Sequence, residues 1–156
     1  MGKILMTYAS QTGNTEVITD IIAHYLEELK HEVTVKSFDF DMIDVDAINE
    51  YDALLVGTYT WDDGELPYEV EDFYIDIEEL NLDKLIAAAY GSADSFYDTY
   101  GGAIELVHDH LKYLGAKVIG EPFKIDLEPS AKDEERCRIL AINISEAIHR
   151  KNQTVA

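Results

Sequence analysis

Apolar positions along the chain alternate between two periods. Ile4-Leu5-Met6-Thr7-Tyr8 is a short, nearly continuous apolar run, which suits a strand buried on both faces; Val17, Ile18, Ile21, Ile22, Tyr25, Leu26 and Leu29 then recur at helical spacing. The alternation continues to the end of the chain. It predicts strands over 32–38, 53–58 and 84–90, and a split strand, 117–119 with 123–125. Between and after them it predicts a short helix over 46–49, a modest one over 68–80, and longer ones over 102–114 and 130–151. Ser130 and Asp133 stand at capping-box spacing after Pro129, with Asp in place of the usual Glu or Gln. Strands alternating with helices imply an α/β three-layer sandwich, a five-stranded parallel sheet covered on both faces. No repeat, low-complexity tract or linker interrupts the pattern, so residues 1–156 are expected to form a single domain. That length buries a substantial core without a disulfide or metal.

In such a sheet a ligand binds beyond the carboxyl ends of the strands, where the strand order reverses. Three loops converge there. The first, Ser10-Gln11-Thr12-Gly13-Asn14-Thr15, is uncharged, crowded with hydroxyls and set against a helix N-terminus. Unpaired N–H groups and the positive end of the helix dipole allow that segment to hold a phosphate with no Lys or Arg. One capping side chain, Thr12 for instance, would satisfy the helix alone, whereas four polar side chains around one glycine exceed that need. The second loop, Thr58-Tyr59-Thr60-Trp61-Asp62-Asp63-Gly64-Glu65-Leu66-Pro67, carries the only tryptophan at its tip. The third, Gly91-Ser92-Ala93-Asp94-Ser95-Phe96-Tyr97-Asp98-Thr99-Tyr100-Gly101-Gly102, offers Tyr97 in a similar position. Aromatic side chains stack on planar rings for about 1–3 kcal/mol per ring. The expected ligand is a phosphomonoester with a flat heterocycle at its other end.

Charge narrows the partners. With 32 acidic residues against 12 Lys and Arg, the net charge of −20 disfavours nucleic acid and anionic membranes. Half of those acids lie between Lys36 and Lys84, an interval without Lys, Arg or His, which suits docking of basic partners. Like charge of this size also favours a monomer. The single cysteine, Cys137, forms no internal bridge; with no basic–apolar leader and no apolar run of membrane-spanning length, a cytoplasmic setting is expected. Walker-type GxxxxGK[ST] and GxGxxG patterns are absent, the five histidines are dispersed, and His108 and His110 lie two apart on a helix, pointing in different directions. No metal site is expected. Asp39 and Asp52 at strand ends would admit a response-regulator reading, but that leaves Trp61, Tyr97 and the hydroxyl loop without a role.

Residues 10–15, the Trp61 loop and Asp94-Ser95-Phe96-Tyr97 together resemble the three flavin-binding loops of flavodoxins, and the resemblance spans essentially the whole chain. It implies strand order 2-1-3-4-5, for which flavodoxin is itself a standard worked case of the switch-point rule, with non-covalently bound FMN at the switch point. The short fifth strand resembles that of short-chain members. The resemblance places the phosphate on Ser10, Gln11, Thr12, Gly13, Asn14 and Thr15, with Thr58 and Thr60 nearby. It places the isoalloxazine between Trp61 and Tyr97, within the loop Tyr59, Asp62 and Gly64. Ser92, Ala93 and Asp94 with Tyr100, Gly101 and Gly102 meet the pyrimidine edge. The chain departs from many members by having Ala93 for Gly and Phe96 for a small residue.

The implied function is low-potential electron transfer between a reductase and acceptor enzymes, the partners being basic-surfaced proteins such as a flavodoxin or ferredoxin reductase. Asp62, Asp63, Glu65, Asp94 and Asp98 are expected near the ring. One carboxylate at about 10 Å and an effective dielectric of about 40 opposes a further negative charge by roughly 0.8 kcal/mol, about 35 mV for one electron. The family's redox-linked turn falls on the Asp62–Asp63 peptide, where glycine is the less strained residue. An FMN-dependent NAD(P)H:quinone or azo reductase on the same fold is the alternative, though its nicotinamide needs room and basic contacts that these acidic, aromatic-covered loops lack. A phosphate-ester binding module without flavin is a third.

Overall fold

The computed structural model of the chain describes residues 2–60, 64–95 and 100–155. The expected alternation of elements is present in order: β1 (Lys3–Tyr8), α1 (Asn14–Glu28), β2 (Glu32–Ser37), a 3₁₀ turn (Val45–Glu50), β3 (Ala53–Gly57), α2 (Tyr68–Asp76), β4 (Ile86–Ala93), α3 (Gly102–Tyr113), β5 (Lys117–Val118), β6 (Phe123–Asp126) and α4 (Ala131–Val155). All strand pairings are parallel, and the sheet order is β2-β1-β3-β4-β5. β5 and β6 are two pieces of the split fifth strand. β5 pairs with Ile86 and Ala87 at the start of β4, and β6 with Tyr90–Ala93 at its end.

Strand parity sorts the core into two layers. Ile4, Met6, Ala53, Leu55, Ile86, Ala88 and Tyr90 pack beneath α1 and α4. Leu5, Leu54, Val56, Ala87 and Ala89 pack against α2, α3 and the 3₁₀ turn. The run Ala87-Ala88-Ala89 is buried on both faces, and its small side chains allow helices to approach the middle of the sheet closely. The predicted capping box forms at the start of α4: Ser130 N donates to Asp133 Oδ2 at 3.0 Å and Asp133 N to Ser130 Oγ at 3.2 Å. These bonds, the Ser130 N–H first, hold the Asp133 carboxyl below its ordinary pKa.

Two boundaries differ in ways that matter for the site. β4 begins at Ile86 rather than Lys84 and runs on through Gly91, Ser92 and Ala93, residues expected to open a loop. Gly, Ser and Ala carry little strand preference of their own, but β6 lies beside them in register and supplies the ladder. α2 ends at Asp76, short of the predicted Leu80.

Candidate functional site

The loops after β1, β3 and β4 leave the carboxyl ends of neighbouring strands, and specific contacts join them. β3 ends at Gly57, opposite Tyr90, so beyond that point the Ser92 N–H has no strand to pair with on the β3 side. The Thr15 hydroxyl takes it instead, at 3.3 Å, tying the first loop to β4. Gly91 meets the root of the second loop so closely that an added Cβ would lie 1.7 Å from the Thr58 carbonyl oxygen. Gly64 and Gly102 are also in contact, since a Cβ at Gly102 would lie 3.0 Å from Gly64 Cα. Ala103 N, in the first turn of α3, donates to Thr60 Oγ1 at 3.3 Å. Ser10–Thr15, Thr58, Thr60, Gly64, Ser92, Ala93 and Gly101–Gly102 are thereby gathered at one end of the sheet.

The first loop has the chemistry expected of a phosphate cradle. α1 starts after Gly13, whose φ of 92° is a left-handed conformation that glycine adopts without strain. Gly13 is its N-cap and Thr12 supplies no capping bond; Ser10 Oγ, from three residues before the cap, accepts from Gly13 N at 3.1 Å and from Glu16 N at 3.3 Å. A hydroxyl that accepts twice still has its proton to donate. Thr15, 1% exposed, is in the same position, since its oxygen accepts from Ser92 and its own proton remains for another acceptor. Gln11 and Thr12 are exposed, and a Cβ at Gly13 would meet nothing within 4 Å. The backbone N–H groups of Thr12, Asn14 and Thr15 have no acceptor among the described residues. An uncharged concavity of N–H and O–H donors at a helix N-terminus fits a phosphomonoester.

The second and third loops are only partly described. Trp61, Asp62 and Asp63, and Phe96, Tyr97, Asp98 and Thr99, lie outside the described residues, and with them the aromatic sandwich and the Asp62–Asp63 turn. Of the others, Thr58 is fully buried and its hydroxyl donates to the Tyr59 carbonyl at 2.8 Å. The Tyr59 ring packs on the α2/α3 side of the core and its hydroxyl donates to Glu69 Oε1 at 3.1 Å. Burial first, then the bond to Glu69, pushes its pKa up to about 12. Asp94 is half-buried just past β4. Gly101 caps α3 with φ of 68°.

Two residues of β6 that the sequence reading passed over brace the third loop from both ends. The Asp126 carboxylate accepts from Ser95 N at 3.1 Å and from Ser95 Oγ at 2.7 Å, and the Ser95 hydroxyl above all holds its pKa below the ordinary 3.8. Lys124 Nζ donates to the Tyr100 carbonyl at 2.9 Å, pairs with Glu105 and lies 5.5 Å from the centre of the Tyr100 ring. Burial raises the Tyr100 pKa, with Asp126 nearby adding to it. The signal was present in Phe123-Lys124-Ile125-Asp126: period-two alternation puts Lys124 and Asp126 on the face opposite buried Ile125.

The remaining sequence candidates serve the fold. His110 Nε2 lies 2.9 Å from the Tyr74 carbonyl, with its ring stacked on Tyr74. Asp52 sits at the opposite end of the sheet and accepts from Lys3 N at 2.8 Å. Cys137 is fully buried, and burial pushes its thiol up to about 12, leaving it protonated and inert. Among the described residues no helix is long and apolar enough to cross a membrane.

Comparison with known proteins agrees with this geometry. The family profile described as Flavodoxin matches residues 6–139. The chain is 41% identical over 142 residues to probable flavodoxin 1 of Bacillus subtilis (strain 168), covering 90% of this chain and 89% of that protein. It is 35% identical to the flavodoxin of Maridesulfovibrio salexigens, covering 86% and 92%. The crystal structure of oxidised flavodoxin 1 from Bacillus cereus superposes with a TM-score of 0.88 at 35% identity, covering 92% of this chain and 97% of that one. The sheet order, the hydroxyl-lined loop at the start of α1 and these matches together establish that the chain belongs to the flavodoxin family.

Proposed function

We propose that this flavodoxin holds the phosphate of its FMN on residues 10–15 and the ring between the loops after β3 and β4. The cofactor supplies one-electron and two-electron redox chemistry when bound. As a member of its family the chain is an electron carrier that works with redox partner proteins, rather than an enzyme with a substrate of its own. The donor set of the first loop carries the assignment of the phosphate end. Ser10 and Thr15 each accept from backbone N–H groups and keep a hydroxyl proton to give, while the first-turn amides of α1 add further donors. No cation is needed there, so phosphate recognition depends on fixed direction rather than on net charge.

At the ring end, the roles of Gly64, Ser92, Ala93, Asp94, Tyr100, Gly101 and Gly102 follow from position, as do those of Trp61, Asp62 and Tyr97 from the family resemblance. Thr60 braces α3 and Tyr59 supports the second loop from beneath. Acidic side chains dominate here. Glu65, Glu71 and Asp72 are exposed on the second loop and α2, and partners with basic surfaces fit that face. The 156 residues act as one cytoplasmic, monomeric domain in this reading. The test is a visible spectrum of the purified protein followed by titration of the flavin-free chain. We expect flavin bands, and FMN bound far more tightly than riboflavin; equal affinities would sink the phosphate assignment.

A further inference from the structure

Tyr90 is fully buried, and its hydroxyl is an unusual thing to find there. A phenylalanine would fill the same space under α1 without taking a hydroxyl out of water, a transfer that costs free energy unless a partner is supplied. Its hydroxyl oxygen lies 2.6 Å from Thr19 Oγ1, and Thr19 Oγ1 in turn donates to the Thr15 carbonyl at 2.8 Å. Thr19 has one hydroxyl proton, already committed to Thr15, so Tyr90 is the donor in the pair. The chain of donation runs from Tyr90 through Thr19 to the first turn of α1. Burial raises the Tyr90 pKa, so the phenol keeps the proton it donates.

The same strand reaches Thr15 a second time. Ser92, two residues on, gives its N–H to the Thr15 hydroxyl. The Tyr90 ring also rests on the last residue of β3, since a Cβ added at Gly57 would lie 2.5 Å from Tyr90 Cζ. One side chain thus touches the root of the second loop, supports the first through Thr19, and sits two residues before the segment that opens the third.

We propose that Tyr90 is a positioning residue for the phosphate end of the site, holding the first turn of α1 through Thr19 so that Thr15 and the loop N–H groups stay aimed at a phosphomonoester. The inference rests on the reading of residues 10–15 as the phosphate cradle. Thr15 is held by its carbonyl from Thr19 and by its hydroxyl oxygen from Ser92, and its hydroxyl proton is left to donate. Loss of the Tyr90 hydroxyl removes the donor that fixes the Thr19 hydroxyl, so the side-chain bond from Thr19 to the Thr15 carbonyl is held less firmly and the first turn loses part of its support from β4.

The experiment titrates the full flavin-free chain with FMN and with riboflavin, for wild type, Tyr90→Phe, Thr19→Val and Thr19→Ser. Tyr90→Phe is expected to weaken FMN about three- to tenfold, the size of one hydrogen bond, with riboflavin essentially unchanged. Thr19→Val should reproduce that effect, Thr19→Ser should restore the wild-type ratio, and the double variant Tyr90→Phe/Thr19→Val should be no worse than Thr19→Val alone. The phosphorus resonance of bound FMN should move in the two weakened variants and not in Thr19→Ser. A packing role alone would change FMN and riboflavin by the same factor, and that result, or no change in either, overturns the proposal. Should Tyr90→Phe fail to fold, the two Thr19 variants decide it. Equal binding of FMN and riboflavin by the wild type would overturn the phosphate reading and this inference with it.

Discussion

The two ends of the site are built on opposite principles. The proposed phosphate end is uncharged and held from inside: Ser10 holds the Gly13 and Glu16 amides, Thr15 is fixed by β4, and its contacts run back into the core. The ring end is acidic and held from outside, with Asp126 and Lys124 of β6 bracing the third loop at Ser95 and Tyr100. The difference follows from what each end must do. A phosphate held by directed N–H and O–H groups needs rigid placement and no counter-charge. A ring that exchanges electrons must stay near the surface, where neighbouring carboxylates oppose added negative charge. In the proposed reading, binding strength and redox tuning fall to separate parts of the chain.

The largest effect is expected where one substitution disables both ends together. Gly91→Ala forces a methyl group to within 1.7 Å of the Thr58 carbonyl oxygen, so the backbone of β4 or of the second loop must shift. Forcing atoms into a well-packed site costs about 1–3 kcal/mol and sometimes more. We expect a fall of several degrees in Tm together with loss of both FMN and riboflavin binding. Wild-type affinity for either flavin in that variant would contradict the close approach.

The next effect separates the ends. Thr12→Ala with Thr15→Ala removes two hydroxyl donors, each worth about 1.5–3 kcal/mol to a charged acceptor, so FMN should weaken by about a hundredfold or more. Riboflavin affinity should stay within a fewfold of wild type. Equal losses for the two flavins would show that the hydroxyls shape the whole site rather than the phosphate end.

That asymmetry also explains what the sequence discloses. The proposed phosphate end is local: strand, loop and helix are consecutive, so periodicity and the hydroxyl cluster single it out as a candidate. The split fifth strand and the Ser130–Asp133 box are equally local, and both form. Ser10 and not Thr12 meets the Gly13 and Glu16 amides because side-chain reach, which composition does not reveal, decides which oxygen arrives there. Gly91–Ala93 join β4 only because β6, thirty residues on, pairs with them. Asp126 and Lys124 act on loops remote in sequence, and Tyr59 turns to Glu69 across the start of α2. Residues whose partners are distant reveal an inward or outward face in the pattern, not a partner.

A smaller effect tests the outer bracing. Asp126→Ala removes the acceptor for the Ser95 N–H and O–H and should weaken FMN and riboflavin alike, by about twofold to fivefold. Because the bonds from Ser95 lower the Asp126 pKa, their contribution is complete above the ordinary carboxyl value of 3.8 and is lost as pH falls through the lower folded-state value. Riboflavin affinity of the wild type should therefore show no Asp126-dependent step between pH 5 and 8, and one below the ordinary carboxylate range. If Asp126→Ala lowers FMN affinity but leaves riboflavin untouched, the brace belongs to the phosphate end instead.

Ionic strength sharpens the contrast with the least perturbation, because it acts on charge and leaves the hydrogen bonds in place. The FMN phosphate is an anion approaching a protein of net charge −20, and nothing in the uncharged cradle attracts it at long range. Screening, which shortens from about 30 Å at 0.01 M to about 8 Å at physiological salt, should therefore speed FMN association. A reductase with a basic surface meets the opposite field, and its reduction of the holo-protein should slow over the same range. We expect changes of about twofold to tenfold, opposite in sign. Replacing Glu65, Glu71 and Asp72 with their amides should flatten the second dependence more than the first, since these exposed carboxylates lie on the second loop and α2, the face proposed for docking. Stopped-flow measurement of both rates in one salt series checks this. If both rates rise with salt, the acidic face repels the reductase rather than guiding it, and the reading of basic-surfaced partners fails.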